Sequence, residues 1–154
     1  MNIHPDFEEL FRLLEEHRVE YMIVGGYAVA FHGFPRFTND IDIFFNSSVE
    51  NVTRLREALI SFGFIEKDLP EEAFTKKGNI LTFGVAPSRV DLFNDIDGVT
   101  FSDAKTKSVR GTYGRIQVTF IGFEDLIRNK KATPRPKDKL DVDALIQQEH
   151  SEDT

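Results

Sequence analysis

The tetrapeptide Asn-Asp-Ile-Asp occurs twice in this chain of 154 residues, at positions 39–42 and 94–97. Each copy offers two carboxylates separated by one residue, and hard divalent cations prefer oxygen ligands of this kind. In a strand, residues i and i+2 project from the same face, so the two carboxylates can share a metal ion. The element that carries each copy therefore decides whether the copy can do chemistry.

The first copy is predicted to lie in a strand. The stretch from Asp40 to Phe45 is rich in β-branched and aromatic residues, which favour strands. Asp40 and Asp42 would then project together, with Cα atoms about 6.5 Å apart, while Ile41 and Ile43 would point into a core. Neighbouring carboxylates repel each other, and a bound dication relieves the repulsion. A set of oxygen ligands suits Mg²⁺ better than Zn²⁺.

The second copy is predicted to form a turn. Asn94, Asp95, Asp97 and Gly98 are residue types that favour turns. The stretch also lacks the twelve-residue ligand pattern of a calcium-binding loop. We therefore expect Asp95 and Asp97 to bond the local backbone or to face solvent.

A third carboxylate is predicted to join the first copy. Asp91 lies in a predicted strand between two apolar residues, where a charge is out of place unless it has a partner. If this strand neighbours the strand of Asp40 and Asp42, three carboxylates converge on one face. Such an arrangement suits two Mg²⁺ ions about 3.5–4 Å apart that support an in-line phosphoryl displacement. Asp95 is the alternative candidate for the third carboxylate.

Two glycines precede the first copy. Gly25 and Gly26 lie between a predicted buried strand at 21–24 and a predicted short helix at 27–32. Glycines let a phosphate group approach the backbone, and a helix N-terminus favours an anion. The alternative is a plain strand-to-helix turn.

The remaining elements predict an α/β or α+β fold, with a small mixed sheet backed by helices. Hydrophobic spacing predicts further helices at about 7–14, 49–62, 123–129 and 136–148, and further strands at 80–85, 89–93 and 115–120. Asp6 is expected to cap the first helix, and Ser47 or Ser48 the helix that Gly63 ends. We predict a single domain at 1–150, with a helical C-terminal segment at 123–148 and a frayed tail at 151–154.

Composition excludes several classes of protein. The chain has no cysteine, which rules out disulfides and Cys-ligated zinc and fits a reducing compartment. No apolar stretch approaches the about 20 residues of a membrane span, and no secretory signal is visible. We therefore expect a cytoplasmic protein that does not contact a membrane.

The charge is segregated along the chain. A net charge of −7 argues against indiscriminate coating of nucleic acid. A local basic cluster nevertheless occurs between positions 128 and 139, formed by Arg128, Lys130, Lys131, Arg135, Lys137 and Lys139. Such a cluster is either a solvated helix face with its loop or part of a site for an anionic ligand.

Taken together, these residues resemble the DNA polymerase β-type nucleotidyltransferase superfamily. The resemblance lies in Val24-Gly25-Gly26, a spacing of thirteen residues, and then Asp40-Ile41-Asp42-Ile43. The longer stretch 25–42 and the tail 123–142 are similar to a subset of small bacterial members. That subset includes the abortive-infection toxin-type nucleotidyltransferases and their uncharacterised relatives. The resemblance extends over about residues 20–146.

The resemblance implies the polymerase β palm-like fold and a role for each carboxylate. Asp40 and Asp42 would hold both metal ions, which would be Mg²⁺ or Mn²⁺. Asp91 would bind the catalytic metal ion and help to activate the attacking hydroxyl.

The resemblance also implies a set of nucleotide-binding residues, namely Gly25, Gly26, Arg36, Thr38, Lys130 and Arg135. Arg36 would clamp a phosphate or pair with a surface acid, and Thr38 would orient Asp40 or bind phosphate. Lys137 would either belong to the phosphate-binding cluster or form a structural ion pair with Asp138. His32 is expected to pack or to bond the backbone, since phosphoryl transfer needs no histidine.

The function that the resemblance implies is transfer of a nucleoside monophosphate from an NTP to a hydroxyl acceptor, with release of pyrophosphate. The acceptor would be RNA or tRNA, a protein or a small molecule. By the resemblance, an antitoxin-like or helical-domain partner protein would supply the acceptor-binding domain that members of the family often carry. Two alternatives are a catalytically inactive nucleotide-binding or regulatory module of the same fold, and an RNA-binding domain that uses residues 128–139.

Overall fold

Six strands form one mixed sheet in the computed structural model, which describes residues 4–34, 38, 40–85, 88–133 and 135–152. The strands are β1 (Tyr21–Val24), β2 (Asp40–Phe45), β3 (Ile80–Phe83), β4 (Arg89–Phe93), β5 (Val109–Tyr113) and β6 (Ile116–Phe120). Their order in the sheet is β3-β4-β2-β1-β6-β5. The pairs β2–β4 and β1–β6 are parallel, and the other three pairs are antiparallel.

Seven α-helices accompany the sheet in the described part of the chain. They are α1 (Pro5–Glu16), α2 (Gly25–Phe31), α3 (Val49–Phe62), α4 (Glu71–Thr75), α5 (Phe101–Lys105), α6 (Phe123–Ala132) and α7 (Pro136–Glu152). A short 3₁₀ helix spans Glu66–Asp68. The predicted class of a mixed sheet with helices is confirmed. Across the described residues, no helix is both long and apolar enough to cross a membrane.

The central strands carry the core. β1 is buried along its whole length, because it has a strand on each side and α1 and α2 pack nearby. On β2, Ile41 and Ile43 are fully buried, whereas Asp40 and Asp42 alternate with them and are partly exposed. The predicted division of β2 into a core face and a polar face is therefore confirmed.

The helix ends agree only in part with expectation. Ser48 caps α3 by accepting a hydrogen bond from the Asn51 N–H, and Gly63 ends the helix, as predicted. The prediction that Asp6 caps α1 was wrong. The cap is His4, whose Nδ1 accepts a hydrogen bond from the Asp6 N–H. Pro5 has no N–H to satisfy, so the first donor that needs an acceptor is that of Asp6.

Several bounds differ from those predicted. α2 begins at Gly25 rather than at position 27, and α7 continues to Glu152, beyond the predicted end at 148. The apolar spacing of the sequence did not reveal α5 or the edge strand β5. β5 is mostly exposed, so it carries little of the apolar alternation that reveals a half-buried strand.

Candidate active site

The register of β2 and β4 brings three carboxylates together. In this parallel pair Asp42 lies beside Asp91, and Asp40 lies beside Arg89. Neighbouring strands are about 4.8 Å apart, and residues i and i+2 share a face. The prediction that the two strands are neighbours is therefore confirmed, and Asp40, Asp42 and Asp91 lie on one face of the sheet.

A polar cavity opens over this face. Its volume is about 480 Å³, and it is lined by Gly26, Thr38, Asp40, Asp42, Arg89, Asp91, Phe93, Arg135 and Lys137. The lining combines three carboxylates with three cationic side chains. A ligand that carries both phosphates and a divalent cation would match both kinds of charge.

A second cavity of about 260 Å³ adjoins the first. Its wall includes the apolar side chains of Val24, Ile80, Phe93 and Ile96, together with Gly25, Asp42, Asp95, Asp97, Asn129, Lys130, Thr133 and Arg135. Asp42, Phe93 and Arg135 border both cavities. Asp42 therefore stands where a ligand in one cavity meets a ligand in the other.

Asp42 is the most electrostatically perturbed carboxylate of the cluster. Its burial, followed by the negative charges of Asp91 and Asp40, raises the pKa of Asp42 from its ordinary value of 3.8 to about 7. The positive charges of Lys130 and Arg135 act in the opposite direction. Asp42 is thus poised to exchange its proton for another cation near neutral pH.

Asp91 is held by two donors. It is 6% exposed, and its Oδ1 accepts hydrogen bonds from Thr82 Oγ1 at 2.7 Å and from Arg89 Nε at 3.2 Å. Arg89 Nε also lies 3.8 Å from Asp40 Oδ2. The other oxygen of Asp40, Oδ1, is buried and has no hydrogen-bond partner among the described residues.

The cluster suits a divalent cation in the type and placement of its oxygens. The buried Asp40 Oδ1 lacks a hydrogen-bond partner among the described residues, and the charges of Asp91 and Asp40 destabilise the ionised form of Asp42. A bound cation would stabilise both carboxylates. No group of three or more Asp, Glu or His side chains is already arranged as a metal site within the described ranges. Instead, the Arg89 guanidinium contacts two of the three carboxylates.

Gly25 lets the backbone approach Asp42 closely. Gly25 adopts φ +67°, and a Cβ atom at this position would lie 2.1 Å from Asp42 Oδ2. At the neighbouring Gly26, a Cβ atom would lie 2.9 Å from Thr38 Oγ1. Thr38 in turn bonds the backbone N–H and C=O of Asp40. Both glycines and Thr38 therefore help to set the positions of Asp40 and Asp42.

Gly25→Ala is expected to destabilise the fold by about 2–4 kcal/mol, and Gly78→Ala by only about 1–2 kcal/mol. Both glycines have positive φ, but a Cβ atom at Gly78 would meet open space, whereas one at Gly25 would collide with Asp42. Urea denaturation measures the unfolding free energy of the two variants. Their difference separates the cost of the collision with Asp42 from the cost of backbone strain. Equal losses would show that Asp42 moves aside without cost.

Two residues of the basic cluster, Lys130 and Arg135, meet at Asp138. Lys130 Nζ lies 2.9 Å from Asp138 Oδ1 and 3.1 Å from Asp141 Oδ2, and the Lys130 side chain is only 7% exposed. Arg135 Nε donates to Asp138 Oδ2 at 2.7 Å, while the Arg135 side chain is 70% exposed. The structure thus holds Lys130 in ion pairs and leaves Arg135 at the rim of both cavities.

The predicted ion pair between Lys137 and Asp138 was wrong. Asp138 accepts hydrogen bonds from Thr133, Lys130 and Arg135, and Lys137 lines the larger cavity. Consecutive residues of a helix do not face each other. Helix geometry therefore excludes this ion pair on the basis of the sequence alone.

The second copy of Asn-Asp-Ile-Asp forms a turn, as predicted. Ile96 and Val99 form an isolated antiparallel bridge around Asp97 and Gly98, and Gly98 has φ +77°. Asp95 is exposed and lines the smaller cavity. The carboxylate in register with Asp42 is that of Asp91, not that of Asp95.

Two further expectations concern single residues. His32 Nε2 is 2.8 Å from the Ile121 carbonyl oxygen, and burial lowers the pKa of His32, so the expected packing role with a backbone hydrogen bond is confirmed. Arg36 lies outside the described residues. Sequence reasoning missed Arg89 and Thr82, although the i, i+2 spacing of Arg89 and Asp91 in a predicted strand places both on one face.

Models of known protein families give no match to this chain, and neither do curated proteins.

Proposed function

We propose that this chain is a divalent-metal-dependent nucleotidyltransferase with a polymerase β palm-like fold. It would transfer a nucleoside monophosphate from an NTP to a hydroxyl acceptor and release pyrophosphate. The observation that carries the proposal is the register of β2 and β4, which sets Asp91 beside Asp42 on the wall of a cavity of about 480 Å³. The resemblance of 20–146 to the polymerase β-type superfamily supports it.

Asp40, Asp42 and Asp91 would hold Mg²⁺ or Mn²⁺. The bound ions would neutralise the phosphates and lower the pKa of the attacking hydroxyl. Within the chain, Thr82 fixes one oxygen of Asp91 by a hydrogen bond, and Gly25 leaves room for the Asp42 carboxylate. These contacts orient the carboxylates before any ligand arrives, which is the main protein contribution to this kind of catalysis.

The cationic wall of the cavity would bind the triphosphate. Arg135 and Lys137 line the same cavity as the carboxylates, and guanidinium groups bind phosphate oxygens with strong charge-assisted hydrogen bonds. Lys130 is buried in ion pairs, so its contribution to the site is its positive charge near Asp42. Gly26 and Thr38 line the same wall.

The acceptor would enter from the smaller cavity, which shares Asp42 with the larger one. RNA or tRNA, a protein side chain and a small hydroxylated molecule are the three acceptor classes that we propose to test. An antitoxin-like or helical-domain protein partner belongs to the same proposal and rests on the resemblance alone.

Label transfer from an NTP tests the proposed activity. The protein is incubated with each α-labelled NTP, Mg²⁺ and an acceptor pool of total RNA and lysate, beside Asp42→Asn and Asp103→Asn. The control residue Asp103 is exposed on α5 and borders neither cavity. We expect transfer by the wild type and by Asp103→Asn, and none by Asp42→Asn. Equal transfer by all three proteins would reject the assignment of Asp42.

A nucleotide-binding module without transferase activity is the second candidate. The contact of Arg89 with Asp91 and Asp40 favours it, because a permanent guanidinium there would exclude a metal ion. NTP binding without transfer to any acceptor would support this candidate. Absence of NTP binding both with and without Mg²⁺ would reject both functions.

A further inference from the structure

Arg89 supplies a positive charge to the carboxylate cluster. Its Nε is 3.2 Å from Asp91 Oδ1 and 3.8 Å from Asp40 Oδ2, so one guanidinium contacts two of the three carboxylates. These are two of the three groups that the proposed function assigns to a divalent cation. A guanidinium and a metal ion cannot occupy the same oxygen atoms at once.

Arg89 and Asp91 differ in burial. The Arg89 side chain is 45% exposed, while that of Asp91 is 9% exposed. Asp91 also keeps its hydrogen bond from Thr82 without Arg89. An exposed arginine is free to change rotamer at little cost, so Arg89 is the movable partner and Asp91 is the fixed one.

We propose that Arg89 is the exchangeable counter-ion of this site, which balances Asp40 and Asp91 until a divalent cation displaces it. The inference rests on the proposed function, because the same carboxylates bind the metal ion. It accounts for the two ion pairs of Arg89 in a cluster that is not arranged as a metal site within the described residues. Arg89 also lines the larger cavity, so the displaced guanidinium stays beside any phosphate that binds there.

Mn²⁺ binding in the absence of nucleotide provides the first test. The wild type, Arg89→Gln and Arg12→Gln are titrated with Mn²⁺, and free Mn²⁺ is measured by electron paramagnetic resonance. Arg12 is the matched control, because it is 48% exposed and pairs with Glu9 and Glu16 on α1. We expect Arg89→Gln to bind Mn²⁺ about five- to tenfold more tightly than the wild type, and Arg12→Gln to stay within about twofold.

The side-chain NMR signal of Arg89 provides the second test. Loss of a nearby positive charge strengthens cation binding even without displacement, so affinity alone does not prove competition. In the wild-type protein, the Arg89 Nε–H signal should shift as Mg²⁺ is added, with the same apparent Kd as metal binding. The Arg12 Nε–H signal should not shift. This test needs no variant that might fold poorly.

The outcomes separate this inference from the proposed function. An Arg89 Nε–H signal that does not respond to bound Mg²⁺ would overturn the exchange, and so would Arg89→Gln affinity equal to or weaker than that of the wild type. Either result leaves the metal site standing if the wild type binds Mn²⁺. Absence of Mn²⁺ binding by both the wild type and Arg89→Gln would reject the metal site and the exchange together.

Discussion

Asp42→Asn is expected to stabilise the fold by about 2–4 kcal/mol at about pH 8 and to change it little at about pH 4. Burial and the charges of Asp91 and Asp40 raise the pKa of Asp42 to about 7, whereas the unfolded chain has a value near 4. Between these values the folded state binds more protons than the unfolded state. Unfolding free energy therefore falls as pH rises from about 4 to about 7. Asparagine has no charge to bury, so the unfolding free energy of the variant does not fall for this reason as pH rises.

Urea denaturation at the two pH values measures the effect. Asp97→Asn is the matched control, because Asp97 is exposed in the turn of the second copy, and its substitution should change stability by less than about 0.5 kcal/mol at either pH. Mg²⁺ should narrow the difference between the wild type and Asp42→Asn at the higher pH, since a bound cation replaces the proton. A difference that does not depend on pH would contradict the origin given for the raised pKa.

The same conflict between charge and burial explains why the carboxylate cluster could be predicted from the sequence. A carboxylate such as Asp91 between Val90 and Leu92 in a strand conflicts with burial, and such conflicts mark functional sites. The alternation of Asp40 and Asp42 with Ile41 and Ile43 identifies both the strand and its polar face. These signals are local, so one sequence contains them.

The register of the strands could not be predicted in the same way. Whether Asp91 or Asp95 joins Asp42 depends on which strand pairs with β2 and at which offset, and both are long-range properties. The parallel pairing of β2 with β4 sets Asp91 opposite Asp42. The sequence therefore predicts that the carboxylates converge if the two strands are neighbours, and the sheet order shows that they are.

An edge strand and an ion network could not be predicted from the sequence. β5 was missed because an edge strand contributes few buried side chains. Lys130 lines the smaller cavity, and its ammonium lies in a buried network formed by residues of α6 and α7. A lysine on a helix has the same sequence signal in either case, because burial depends on how the two helices pack.

Asp138→Ala is expected to destabilise the fold by about 3 kcal/mol at neutral pH, because it removes a partner of a buried ammonium. Asp138 accepts hydrogen bonds from Thr133, Lys130 and Arg135. Burial acts to raise the pKa of Asp138, but the hydrogen bonds from Thr133 and Lys130 and the positive charges outweigh it and lower the pKa to about 2. This stabilisation is present above about pH 4 and is lost as pH falls through about 2. The difference between the two proteins should therefore shrink over that range.

Arg135→Gln is the matched control for Asp138→Ala. It removes a cationic partner of the same carboxylate, but Arg135 is exposed, so the loss should stay below about 1 kcal/mol. Both variants are measured by urea denaturation at neutral pH. Equal losses would mean that the buried Lys130 does not determine the cost. A large loss for Asp138→Ala alone would show that the junction of α6 and α7 depends on a buried charge pair. Asp138 also accepts a hydrogen bond from Arg135, which lines both cavities with Asp42. Under the proposed function, both variants should therefore weaken nucleotide binding.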